Sequence, residues 1–193
     1  IDFHAHALFL NGMGLGHELD EICRRSGVTT LVDAGSCGAA TFPVFKEVLL
    51  DTANTRLFAF LHISSIGLAD LSVGESTYLD LHQPERAAEI AKTYPDIIVG
   101  IKVRQQAEAV GENGLEPMKQ AKKAASLAGG LPIMVHVTHP PVPLQRILCE
   151  LDRGDIVTHI FHKRGNGMLD DEHRILPAVE SARQKGIWFD AAH

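Results

Sequence analysis

Short apolar, β-branched runs recur along the chain at 1–6, 28–33, 57–63, 97–103, 132–137, 156–161 and 186–190, and each closes on a polar or glycine-rich turn. Runs of this length and composition read as buried strands. Between them the apolar period lengthens. Phe42, Phe45, Val48 and Leu49 stand at i, i+3, i+6 and i+7, which gathers their side chains on one helical face. Glu18, Leu19, Ile22 and Cys23 lead to a glycine stop at Gly27. Pro84 opens a helix where its missing N–H costs nothing, and the run through Ala87, Ile90 and Ala91 stops at Tyr94 before Pro95. Segments 115–128, 144–151 and 175–182 complete the helices.

Strands that alternate with helices imply a parallel sheet with right-handed crossovers. A repeat of about 30 residues matches the eight-unit α/β barrel. The expected fold is therefore an α/β, TIM-type (β/α)8 barrel with only seven βα units present, the eighth strand missing. No linker or low-complexity segment divides the chain, so residues 1–193 form one domain, read as an excerpt of a longer chain. The segment 65–81, which contains Gly67, Gly74 and Ser76, is long for such a unit. It reads either as a lid over the barrel mouth or as a disordered surface excursion.

Composition narrows the function classes. A formal charge of −6 leaves no basic surface for nucleic acid or an anionic membrane. No apolar run approaches the roughly 20 residues that span a bilayer, and the opening segment reads as a strand and not as a secretory leader. Cys23, Cys37 and Cys149 are widely spaced and read as unpaired small hydrophobes in a reducing compartment. The expectation is a cytoplasmic enzyme with a small-molecule substrate. An unprotected barrel edge makes a homo-oligomer possible.

Eleven histidines are more than such a chain needs. Catalytic residues of a parallel barrel lie at the C-terminal ends of its strands. His4 and His6 are two apart on the first strand, so both point to one face. His136 ends the strand around Ile133-Met134-Val135, and His159 ends the one around Ile156-Val157-Thr158. One such histidine reads as a core residue, but four at equivalent depth read as metal ligands. Lys102 lies inside the apolar strand Ile98-Val99-Gly100-Ile101-Lys102-Val103. Burial there makes an ammonium lose its proton readily. Lys102 is either salt-bridged to a barrel carboxylate or a neutral amine that captures carbon dioxide as a carbamate. The ligands suit zinc, and also manganese, iron or cobalt.

His4-x-His6, the strand Gly100-Ile101-Lys102-Val103-Arg104, His136 and His159 together resemble the amidohydrolase superfamily. The stretches DFHAHA, TTLVDAGSCGAATF, TRLFAFLHIS, GIKVR, GLPIMVHVTHPP, GDIVTHIFHKRGNGM and GIWFDAAH are similar to its amidohydrolase/deacetylase branch, related to dihydroorotases. The resemblance implies a site for two zinc ions bridged by carboxylated Lys102. His4 and His6 would bind the more buried ion, and His136 and His159 the more exposed one. It also implies a catalytic aspartate at the end of strand eight and a flanking β-sandwich, neither of which these residues contain. Asp190 lies on strand seven and is not taken for that aspartate, so no catalytic residue is assigned.

Paired metals bring water ionisation toward neutral pH, so the implied chemistry is hydrolysis of an amide, a cyclic amide or an acetyl ester. Arg104, His139, His162 and Asn166 are the candidate substrate contacts, the last three on loops after strands five and six. Asp33, Gly35, Ser36 and Gly38 read as a tight turn. His17, His62, His82 and His173 carry no assigned role. A seven-stranded PHP-type phosphoesterase, with Asp190 and His193 as late ligands, is an alternative, although Lys102 stands where that family would place a carboxylate or histidine. A metal-binding, non-catalytic barrel is another.

Overall fold

A computed structural model describes residues 1–7 and 18–192 of the chain. His17 and His193 lie outside the described residues. Seven strands form one sheet: β1 (Asp2–Ala5), β2 (Thr30–Asp33), β3 (Arg56–His62), β4 (Ile98–Arg104), β5 (Ile133–His136), β6 (Ile156–Thr158) and β7 (Trp188–Asp190). They pair in sequence order, and every pairing is parallel. The helices are α1 (Leu19–Ser26), α2 (Phe42–Phe45), α3 (Pro84–Thr93), α4 (Ala107–Val110), α5 (Glu116–Leu127), α6 (Leu144–Glu150) and α7 (Pro177–Lys185). This is the α/β, TIM-type arrangement expected, with seven strands. Among the described residues no helix is long and apolar enough to cross a membrane.

Side-chain alternation divides the strand residues between two environments. Leu57, Ala59 and Leu61 of β3, Ile101 and Val103 of β4, Ile133 and Val135 of β5 and Val157 of β6 join helix residues such as Phe42, Ala87, Met118 and Ile147 in the main core. The opposite face carries a smaller interior cluster of Val32, Ala34, Phe60, Met134 and Ile156. Two residues further along the same faces come His62, His136 and Thr158. Register then lays the polar layer out sideways: His62 pairs with Lys102, His136 with Thr158, and Thr158 with Asp190. The pleat therefore carries polar groups to the C-terminal mouth above an apolar floor.

Three boundaries differ from the sequence pattern. Strand six stops at Thr158, so His159 lies just past it, turned into the left-handed region at φ 63°. The helix over 42–49 begins as α2 and continues as a π-helical turn, Lys46–Leu50. The wider turn still lets Leu49 and Leu50 pack on the core. The excursion at 65–81 is a folded strap and not a disordered one. Its ends lie side by side through a Ser64–His82 bridge, and Ser65 N–H donates to Leu81 O at 2.7 Å. Its middle, at Glu75 and Ser76, is buried.

Candidate metal centre

The five residues singled out on four strands meet at the barrel mouth. The His4 and His159 ring centroids are 4.8 Å apart, those of His136 and His159 4.3 Å, and those of His4 and His6 5.9 Å. Lys102 is 1% exposed, and its Nζ lies 3.4 Å from Met134 Sδ. Gly35, at φ 94°, makes room for it: a Cβ there would fall 2.5 Å from Lys102 Cγ. The turn after β2, read from sequence as backbone geometry alone, thus also shapes the lysine's channel.

The electrostatics oppose protonation of Lys102, His4 and His136. Burial, helped by the positive Arg104, lowers the Lys102 ammonium from its usual value to about 7. Burial and the nearby Lys102 lower His4 to about 3. The same two causes hold His136 well below the ordinary histidine range. Each added proton would sit in a poorly solvated space beside other cations. His4 and His136 are consequently neutral nitrogen donors at pH 7, and Lys102 gives up its proton readily there.

Two carboxylates stand behind the H-x-H pair. His4 Nδ1 lies 2.8 Å from Asp190 Oδ2, and Thr158 Oγ1 donates to the same Oδ2 at 2.7 Å. His6 Nδ1 lies 3.0 Å from Ser36 Oγ, which donates to Asp33 Oδ2 at 2.7 Å. Asp33 also accepts from the N–H groups of Ala7, Gly35 and Ser36. Hydrogen bonds from Thr158 and His4 outweigh burial at Asp190 and hold its carboxyl below the ordinary range. Sequence reasoning did not find these partners, because Asp190 is 186 residues from His4 and Ser36 is 30 from His6.

The donor set fits a divalent cation chemically. Its members are imidazoles and a readily deprotonated amine, and His136 Nε2 is buried without a hydrogen-bond partner among the described residues. The rings pack on one another, and among the described residues no three His, Cys, Asp or Glu side chains are disposed to hold one ion.

The four candidate substrate contacts have protein partners. Arg104 Nη1 donates to Glu75 Oε2 at 3.0 Å, and its Nη2 donates to Gln106 Oε1 at 2.7 Å. His139 Nδ1 lies 3.2 Å from Glu108 Oε1, and Arg164 Nη1 lies 3.5 Å from the same oxygen. Glu108 on α4 thereby connects the loops after β4, β5 and β6. Asn166 donates to Pro140 O at 3.0 Å, and His162 Nδ1 accepts from Arg164 N–H at 3.3 Å. His139, His162 and Asn166 thus border the mouth on joined loops after β5 and β6. His62 and His82 are buried beside the strap: His62 Nε2 lies 3.5 Å from Glu75 Oε1, and His82 Nε2 lies 3.1 Å from Ser76 Oγ. Cys23, Cys37 and Cys149 are free thiols.

A scan against protein-family models finds no match. Curated relatives align with the whole chain: a deacetylase of Enterococcus faecalis at 34% identity, one of Brucella anthropi at 36% and one of Agrobacterium fabrum at 35%. The chain covers 52%, 48% and 47% of them, so it spans about half their length. Among solved structures, an adenine deaminase superposes with a TM-score of 0.88 at 32% identity, over 98% of this chain and 50% of that one. A dihydroorotase superposes with a TM-score of 0.79 at 36% identity, over 86% and 44%. Along its length, then, this chain is similar in sequence to curated deacetylases, and its fold is that of an adenine deaminase and a dihydroorotase, both members of the amidohydrolase superfamily.

Proposed function

We propose that this barrel is the catalytic part of a metal-dependent hydrolase that cleaves an amide, cyclic amide or acetyl ester of a small molecule. His4, His6, Lys102, His136 and His159 are the ligands of two divalent ions, zinc first among them. The observation that carries the reading is four imidazoles packed ring against ring, with a buried, readily deprotonated lysine whose charge is felt at His4 and His136. Bound ions would supply Lewis acidity and bring water ionisation into the neutral range. The names of the relatives support deacylation, and the structural neighbours support C–N bond hydrolysis.

The chain's own residues do the preparatory work. As a neutral amine, Lys102 can attack carbon dioxide: an N–C bond forms, one proton leaves to solvent, and the resulting carbamate offers two anionic oxygens. The apolar floor of Phe60, Met134 and Ile156 excludes water below the site. His139, His162 and Asn166 border the entrance and would meet substrate there. Arg104 would bind a substrate anion only in competition with Glu75, which already neutralises it. No residue of this chain is assigned to proton transfer, because the resemblance places that aspartate on strand eight.

Elemental analysis of the protein prepared with zinc and bicarbonate, beside a Lys102→Ala variant, tests the reading. About two ions per chain, falling sharply in the variant, is the expected result. Little or no metal in the unmodified protein would refute it.

A further inference from the structure

Both histidines of the H-x-H pair are backed by the same unit, a hydroxyl that donates to a carboxylate. We infer that Thr158–Asp190 and Ser36–Asp33 are twin clamps that lock His4 and His6 in one tautomer, with the proton on Nδ1 and the lone pair on Nε2. The inference rests on the metal-binding reading above and gives four residues outside the ligand set a positioning role in it.

The argument is one of donors and acceptors. Asp190 Oδ2 can only accept, and it already receives the Thr158 hydroxyl at 2.7 Å. His4 Nδ1, 2.8 Å from that oxygen and 2.9 Å from Thr158 Oγ1, must therefore carry the hydrogen. At the other clamp the Ser36 hydrogen is committed to Asp33 Oδ2 at 2.7 Å, so Ser36 Oγ faces His6 Nδ1, at 3.0 Å, as an acceptor. Asp33 in turn is fixed by three backbone N–H groups, from Ala7, Gly35 and Ser36. Each clamp comes from a strand, or the turn after one, different from the strand that carries its histidine. Ring orientation and tautomer are thus set by the fold before any ligand arrives. Partners of this kind fix which ring nitrogen is left for a metal, and their loss typically weakens metal affinity about 10- to 100-fold.

The test uses the full protein and two readouts. Long-range 1H–15N spectra of the metal-free protein report the tautomer of each imidazole. Competition with a chromophoric chelator reports zinc affinity. The unmodified protein should show His4 and His6 as Nδ1–H. Asp190→Ala and Ser36→Ala, which remove the acceptor of each Nδ1–H, should each mix the tautomers of their own histidine alone and weaken zinc binding about 10- to 100-fold. Thr158→Val, which leaves Asp190 as the acceptor, and Ser36→Thr, which keeps the hydroxyl, should leave His4 and His6 as Nδ1–H. An Nε2–H tautomer at either histidine of the unmodified protein would overturn the inference. So would unchanged zinc affinity in folded Asp190→Ala and Ser36→Ala variants. Nδ1–H spectra in a protein that binds no zinc would refute the metal reading and the role given to the clamps, while the tautomers themselves stand observed.

Discussion

Glu75 and Arg104 join the long strap to the barrel. The fully buried carboxylate of Glu75 accepts from the Arg104 guanidinium at 3.0 Å, while 14% of the arginine side chain stays exposed. His62, 3.5 Å from the other carboxylate oxygen, completes the contact. A segment whose glycines and polarity mark it as loop thereby gains a buried ion pair beside its hydrogen bonds, among them Ser76 N–H to Ala109 O at 3.0 Å.

Removing that pair should loosen the strap and destabilise the domain. Glu75→Ala is expected to cost about 2–3 kcal/mol, less than for a fully buried pair because Arg104 keeps some solvent. Urea denaturation reads the loss. Limited proteolysis should show new cleavage near the exposed Leu71 and Val73. A change below about 0.5 kcal/mol, the scale of an ordinary surface substitution, would show that the pair holds nothing.

Gly35 and Gly154 share a positive φ, 94° and 95°, in different surroundings. A Cβ at Gly154 meets nothing within 4 Å, whereas one at Gly35 would collide with Lys102. Gly154→Ala should cost about 1–2 kcal/mol, from backbone strain alone. Gly35→Ala should cost at least about 1 kcal/mol more, as overpacking adds to strain. It alone should lower bound zinc. Equal losses in thermal unfolding would separate Gly35 from the lysine's channel.

Stability of the metal-free protein should fall as pH drops from 6.5 toward 5. His4, lowered to about 3, and His82, lowered to about 4 by burial and the nearby His62, bind protons in the unfolded chain first. Burial lowers His62 and His136 in the same sense. With more protons bound unfolded than folded, unfolding free energy rises with pH across this window. Asp33 and Asp155, raised by burial, act oppositely but are fewer. Urea midpoints at pH 7.5 and 5.5 test the sign, and a higher midpoint at pH 5.5 would contradict it.

At the opposite end of the barrel, Asp155 accepts from Ile133 N–H at 2.9 Å and from Asp152 N–H at 2.7 Å, joining the start of β5 to the approach of β6. Asp155→Ala leaves the buried Ile133 N–H unsatisfied and should cost about 1–3 kcal/mol. Zinc content should stay unchanged, since the residue lies far down the strands from the mouth. A loss of metal without a loss of stability would place Asp155 in the site's support instead.

Local periodicity carries the sheet: each strand shows in its own few residues, and sequential parallel pairing follows from the helices between. The basic residues of the site were legible because a histidine or lysine inside an apolar strand is anomalous by itself. Their supports were not. Asp190, Thr158 and Ser36 are unremarkable where they stand and gain meaning only from His4 and His6, far away in sequence. Glu75 looked like one more polar residue of a loop, since burial within an irregular segment leaves no periodic trace. His159 was placed within a strand because a left-handed backbone at a histidine has no signal in the neighbouring residues.

The clamp between His4 and Asp190 has a bearing on how the molecule assembles. Every ladder of the sheet joins neighbours in sequence, so loops of a few tens of residues suffice to build it. The clamp alone spans 186 positions. Loop-closure entropy grows with the logarithm of length and weighs most on that contact. Six ladders can therefore be in place while His4 still lacks its partner. In this ordering the orientation of the His4 ring is fixed only after the sheet that it spans has closed up strand by strand.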